Sequence, residues 1–270
     1  MIRLQRLLAG SLAAFCLCGA AVAQTVALTK EELAGSVKTD ALSIPTPGEL
    51  MAAMNKQGKI DWSARFRAPI ATNYASRAQG ALNLGGLIAD GYIAVEAQDA
   101  QQVKNIGRDI LSIGKPLGVS KDILNRGSSI SEFAEKNQWE ALKEELEATQ
   151  NEVKIAMVNS KDQDLVSLIT VGGWVRGIEV ISGYVAQHYT EAGAKLLRQP
   201  AVIGFLNKRL DGLPDKIRDE GPVAATRKKL ITMEMMVAMP REKTPTETDV
   251  KKLNALSAEV VKDISRKDGR

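Results

Sequence analysis

The clearest periodicity in the chain runs from Gln138 to Asn159, where Trp139, Leu142, Leu146, Thr149, Val153 and Ala156 recur at alternating steps of three and four residues. Lys143, Glu144, Glu145 and Lys154 fill the intervening positions, so the segment predicts an amphipathic helix buried along one stripe. A different pattern follows it. From Leu165 to Ala186 nearly every position is apolar and the only charged residues are Arg176 and Glu179, which predicts a buried central helix over about 164–188. Further helices are predicted at about 71–97, at 99–114 with Asp99 as N-cap, at 190–210 with a break near Pro200, at 222–239 and at 247–265. A short one opens at Thr46-Pro47-Gly48-Glu49, a capping box with proline at the first helical position, and ends by Gly58. The stretch holding Trp62 and Phe66 reads as irregular. No segment alternates as a strand would, so the expectation is an all-α multi-helix bundle.

Two glycine-bounded runs, Gly118 to Gly127 and Gly212 to Gly221, keep isoleucine at the same place, and Gly85-Gly86 and Gly172-Gly173 sit in the helices upstream. They suggest pseudo-repeats over 70–160 and 163–265, a diverged tandem duplication of a four-helix unit, although the loops are 94 residues apart and the glycine pairs 87. The expected organisation is a signal peptide over 1–23, an irregular lead-in over 24–68, a helical domain over 69–265 and a basic tail over 266–270.

The signal is read in three parts: Arg3 and Arg6, the apolar run Leu7 to Ala20, and the small-residue site Ala21-Val22-Ala23, with cleavage expected after Ala23. The run is shorter than the roughly 20 residues that cross a bilayer. Export to the periplasm or outside the cell would remove Cys16 and Cys18, the only cysteines, and would lower the formal charge from +4 to about +2. That balance argues against nucleic acid as a partner. No transmembrane helix is expected in the mature chain, because two charges and several glycines make insertion of the 164–188 helix costly.

Gly172, Arg176, Glu179 and Gly183 share one helical face. A buried charge is costly unless paired, so Arg176 with Glu179 reads first as an ion pair fixing helix register and second as a ligand-binding or catalytic pair. Ser76, Asn83 and Asp90 recur every seven residues, with Gln79 and Gly86 on the same side. If this stripe meets the central helix, Asp90 is the natural partner of Arg176, with Asn83 and Arg77 in the same interior seam. Ser76 and Gln79 read as a solvated face or a packing seam. Gln150, Asn151 and Glu152 border the apolar stripe of the 138–159 helix and form a lesser polar group. Met233, Met235, Met236 and Met239 could hold copper(I) through their thioethers; as core filler, methionine is equally ordinary. The single histidine, His188, has no serine or cysteine motif beside it and reads as a surface or capping residue. No cofactor is expected.

The runs Asn125-Arg126-Gly127, Ala148-Thr149-Gln150-Asn151-Glu152-Val153-Lys154 and Gly172-Gly173-Trp174-Val175-Arg176-Gly177 resemble a family of exported helical proteins of Gram-negative bacteria. The resemblance implies export and an all-helical fold, and brings no activity, cofactor or catalytic residue. The expected function is a non-catalytic periplasmic domain that binds a protein or small-molecule partner. The alternative is a hydrolase or lyase built on the Arg176, Glu179 and Asp90 pocket.

Overall fold

The computed structural model describes residues 44–119, 121–159, 162–240 and 242–267. The expected signal peptide, its cleavage site and both cysteines lie outside the described residues. In chain order the helices are α1 (Pro47–Asn55), α2 (Arg77–Glu96), α3 (Ala100–Leu117), α4 (Lys121–Glu135), α5 (Trp139–Asn159), α6 (Gln163–Gln187), α7 (Glu191–Leu196), α8 (Pro200–Asp211), α9 (Asp215–Arg218), α10 (Gly221–Val237) and α11 (Glu247–Ser265). Among the described residues there is no strand, and the protein is an all-α bundle.

The ends of these helices follow local chemistry. Thr46 and Glu49 close the capping box of α1, Ser76 caps α2 by accepting from the Gln79 amide, and Asp99 caps α3 by accepting from Gln102. Pro116 lies in the last turn of α3, and Gly118, at φ +88°, ends that helix in the left-handed region. The expected break near Pro200 separates α7 from α8. Two boundaries differ from expectation. Residues 71–76 are not helical, so α2 begins at its serine cap rather than at Ala71. From Lys121 the run ending in Gly127, read as a loop, is the first half of α4, and Gly127 lies inside that helix facing Leu111 of α3, with room for a Cβ at ordinary contact distance.

Thr246 and Asp249 form a second capping box at the start of α11: the Thr246 hydroxyl accepts from the Asp249 amide at 3.2 Å, and the Asp249 carboxylate accepts from the Thr246 amide at 2.9 Å. Thr246→Ala should lower stability by about 1 kcal/mol in urea unfolding. The bonds from the Thr246 hydroxyl and amide hold the Asp249 carboxyl below the ordinary aspartate range. A depressed folded pKa contributes stability above the unfolded value and loses it as pH falls through the folded one. The stability difference between wild type and Asp249→Asn should therefore be full above about pH 5 and close progressively below pH 4.

The centre of the bundle is the crossing of α2 and α6. From Ala78 to Val95 nearly all of α2 is buried, and α6 is buried from Leu168 to Ile181 on almost every face. By length and composition α6 could cross a membrane, yet 78% of its most apolar window is covered by the rest of the protein. The two helices meet backbone to backbone. A Cβ on Gly85 would lie 2.0 Å from the Ile169 carbonyl oxygen, and one on Gly172 would lie 1.9 Å from the Leu82 carbonyl oxygen. The contact is reciprocal, each glycine resting on the carbonyl three residues before the other. Beyond this pair the two halves diverge, since α4 runs unbroken where α9 and α10 are separate.

Around the crossing, α11 packs along α6 and touches α2, α10 bridges α11 and α8, and α1 lies against α6 and α2. On the other side α3, α4 and α5 follow one another, with Ala94, Val95, Val103, Ala134 and Leu142 forming a smaller second cluster. The irregular segment 56–76, with a 3-10 turn at Ser63–Arg65, passes over the α2–α6 junction and is anchored by buried Trp62, whose indole donates to Asn55 at 2.9 Å.

Candidate functional site

The long apolar stretch of α6 forces Arg176 into the interior, where it is 4% exposed. Its three nitrogens are all used. Nε donates to Asp90 Oδ1 at 2.7 Å, Nη1 to Glu179 Oε2 at 2.7 Å, and Nη2 to the Arg65 carbonyl at 2.9 Å. The expected Asp90–Arg176 contact therefore exists. Burial works against the Arg176 cation, while Asp90 and then Glu179 favour it and hold its pKa above the ordinary value.

Asp90 has a second cation that the sequence did not reveal. Arg67, from the segment crossing the junction, donates from Nε to Asp90 Oδ2 at 2.8 Å. Its Nη2 lies 2.6 Å from the same oxygen, in ion-pair contact only, because it is not aligned as a hydrogen bond. Arg67 Nη1 donates to Ser265 of α11 at 3.3 Å. The four charges are thus two arginines and two carboxylates, balanced and tied to one another across α2, α6 and the crossing segment.

A second polar group continues the seam toward the end of α11. Asn83 donates from Nδ2 to the Gln79 carbonyl at 2.9 Å and to the Ile264 carbonyl at 2.8 Å. Gln79 donates to the Ile264 and Arg266 carbonyls at 3.0 and 2.7 Å. These amides supply partners to carbonyls that a helix C-terminus leaves without them. Gln79 is 1% exposed, so it belongs to a seam and not to a solvated face. Ser76 is the α2 cap described above. Nearer the start of α11, Asn254 donates to the Glu179 carbonyl at 2.8 Å and to Ser182 at 3.1 Å.

Arg77 is corrected by the structure. It does not line the seam but stands at the exposed start of α2, donating to the Leu117 carbonyl at 3.1 Å and lying 3.5 Å from Asp162. The heptad spacing that links Ser76, Asn83 and Asp90 starts at the cap, and Arg77 follows the cap on a different face.

The lesser group is not part of this site. Gln150 accepts from Tyr92 at 3.3 Å, Glu152 pairs with Arg126 at 2.5 Å, and Asn151 is half-buried between them. Burial, with Glu147 and Glu49 nearby, raises the Tyr92 phenol above its ordinary pKa. The four methionines are spread around their helix and past its end. Met233 is fully buried, Met235 is 67% exposed, Met236 is half-buried, and Met239 lies beyond α10, where its carbonyl accepts from Arg198. His188 caps α6 and stacks on Tyr184 with ring centroids 4.7 Å apart. Among the described residues no three His, Cys, Asp or Glu side chains converge as a metal-holding group.

The open space at the seam is small. A cavity of about 10 Å³ for a water-sized sphere is bounded by Arg67, Asn83, Gly86, Arg176 and Ser265 together with apolar residues of α2 and α11. That is room for one water and for no organic substrate. Glu179 is the most accessible member of the cluster, with its side chain 21% exposed. Glu179→Gln removes one charge but keeps an acceptor within reach of Arg176, so a loss of about 1 kcal/mol is expected in urea unfolding.

No protein-family model, no curated protein and no solved structure matches the chain.

Proposed function

We propose that the protein is a non-catalytic exported domain, periplasmic after cleavage following Ala23, which binds a protein or small-molecule partner through its surface. The observation that carries this reading is the complete pairing of the buried charges. Arg176 spends each of its nitrogens on another group, and both Asp90 oxygens are taken by arginines. A general acid or base needs a reacting atom within hydrogen-bond reach, and the adjoining cavity has room for a single water. A paired, closed network supports a role in fixing the register of α2, α6 and the crossing segment. The alternative hydrolase or lyase would require Glu179 or Asp90 to face a substrate-sized space.

The test is native mass spectrometry of the protein purified from its own periplasm, wild type beside Glu179→Gln. The expected result is a stoichiometric added mass, protein or small molecule, carried equally by both. A bare wild-type chain that turns over a periplasmic substrate, with turnover lost in Glu179→Gln, would establish the enzyme instead.

A further inference from the structure

Two buried polar atoms beside the small cavity lack a hydrogen-bond partner within the protein. One is an acceptor, Asn83 Oδ1, whose companion Nδ2 is already committed to two carbonyls. The other is a donor, Arg67 Nη2, in ion-pair contact with Asp90 without hydrogen-bond alignment. Arg67 Nη2 sits over Gly86, where an added Cβ would come within 3.2 Å of it, so the bare backbone of α2 is what leaves room at this point. Asn83, Arg67 and Gly86 all bound the cavity, together with Ser265 and Arg176.

We infer that this cavity is a specific binding site for one internal water, which accepts from Arg67 Nη2 and donates to Asn83 Oδ1. Three features select the occupant. A volume of about 10 Å³ for a water-sized sphere admits one small molecule. Two arginines at the rim repel a cation. The free atom of Asn83 is an acceptor, and an acceptor repels an anion. A water satisfies donor and acceptor together, as buried waters do when they have two to four polar partners. Its remaining O–H points within the same polar rim, where Ser265 Oγ accepts from Arg67 and donates to the Val261 carbonyl. The water thereby joins the crossing segment to α2 at the place where both meet the end of α11. This inference concerns the interior and stands whether or not the partner-binding reading holds.

The experiment is a crystal structure of the wild-type protein at 1.5 Å or better from crystals soaked in bromide, with solution NMR of the same protein as a second measurement. The expected density is a fully occupied water within about 2.7–3.2 Å of both Asn83 Oδ1 and Arg67 Nη2. In solution the Asn83 side-chain amide should show a water cross-peak with the sign of a long-lived, protein-bound molecule. An anomalous bromide peak in the cavity would overturn the assignment in favour of an anion site. Featureless density, or Asn83 and Arg67 in direct contact across a closed gap with no water cross-peak, would overturn it as well.

Discussion

Gly172→Ala is expected to cost about 4 kcal/mol or more and to leave little soluble protein, because the new methyl group would lie 1.9 Å from the Leu82 carbonyl oxygen. No side chain can swing aside to relieve that contact, since the obstruction is backbone of α2. The helices must separate, and the separation opens the best-buried interface of the bundle, where Leu82, Leu168, Val171 and Trp174 are at most 1% exposed. With a total stability of about 5–15 kcal/mol for a typical domain, such a loss consumes much of it. Gly107→Ala is the control. Gly107 lies inside α3 with nothing within 4 Å of its added Cβ, so alanine there should raise stability by about 0.5–1 kcal/mol through helix propensity alone. Gly85→Ala should resemble Gly172→Ala, and the double variant should cost less than the two losses added, because one separation relieves both contacts. Chemical unfolding of the four variants beside wild type measures all of this; a Gly172→Ala protein within about 1 kcal/mol of wild type would refute the backbone-to-backbone crossing.

Asp90→Ala is expected to cost about 3–5 kcal/mol, since it removes the carboxylate shared by buried Arg176 and partly buried Arg67. Arg176 is 4% exposed at its side chain and Arg67 19%, and Asp90 is the carboxylate both of them share. Glu179 can compensate only Arg176, and only from the partly exposed side. The larger loss relative to Glu179→Gln follows from that geometry. Replacing the two innermost charges together, as in Asp90→Leu with Arg176→Met, should recover part of the loss, because Arg176 is then no longer stranded, while Arg67 and Glu179, which lose their partners, are partly exposed to water. Urea unfolding of the single and double variants measures the recovery. A cost below about 1 kcal/mol for Asp90→Ala would mean that water reaches the cluster freely, and the closed-interior reading would fail with it.

The parts of this site that the sequence reveals are those where composition and periodicity conflict. Arg176 and Glu179 stand out because they are the only charges in a long apolar run, and Asp90 stands out because it keeps a seven-residue step with Asn83 on an otherwise apolar helix. Their pairing follows from the expense of leaving such charges alone. Arg67 has no comparable signal. It sits in a stretch without period, two residues before Pro69, and its role depends on where that stretch crosses the fold. Gln79 was ambiguous for another reason: a polar residue on a helix face looks solvated unless one knows that the end of another helix lies against it. The α4 boundary was obscured because glycine commonly punctuates turns, whereas Gly127 lies within the helix, where a side chain would also fit beside Leu111. The starts of α1 and α3 were legible because the capping residue and the start of the pattern coincide, whereas the Ser76 cap of α2 was not read as one and that start was placed too early.

The grip of Gln79 and Asn83 on the last carbonyls of α11 has a consequence for synthesis. These bonds join residues 181 to 187 positions apart, and the Arg67–Ser265 contact spans 198. A ribosome making this chain has produced all of α2 and α6 long before the residues that complete their polar seam exist. Until Ile264, Ser265 and Arg266 arrive, the Gln79 side-chain amide lacks its carbonyls, Asn83 keeps only the Gln79 carbonyl, and Arg67 has no serine. Closure of this seam thus waits for the last turn of α11, and nascent chains stopped before Glu247 should remain protease-sensitive intermediates.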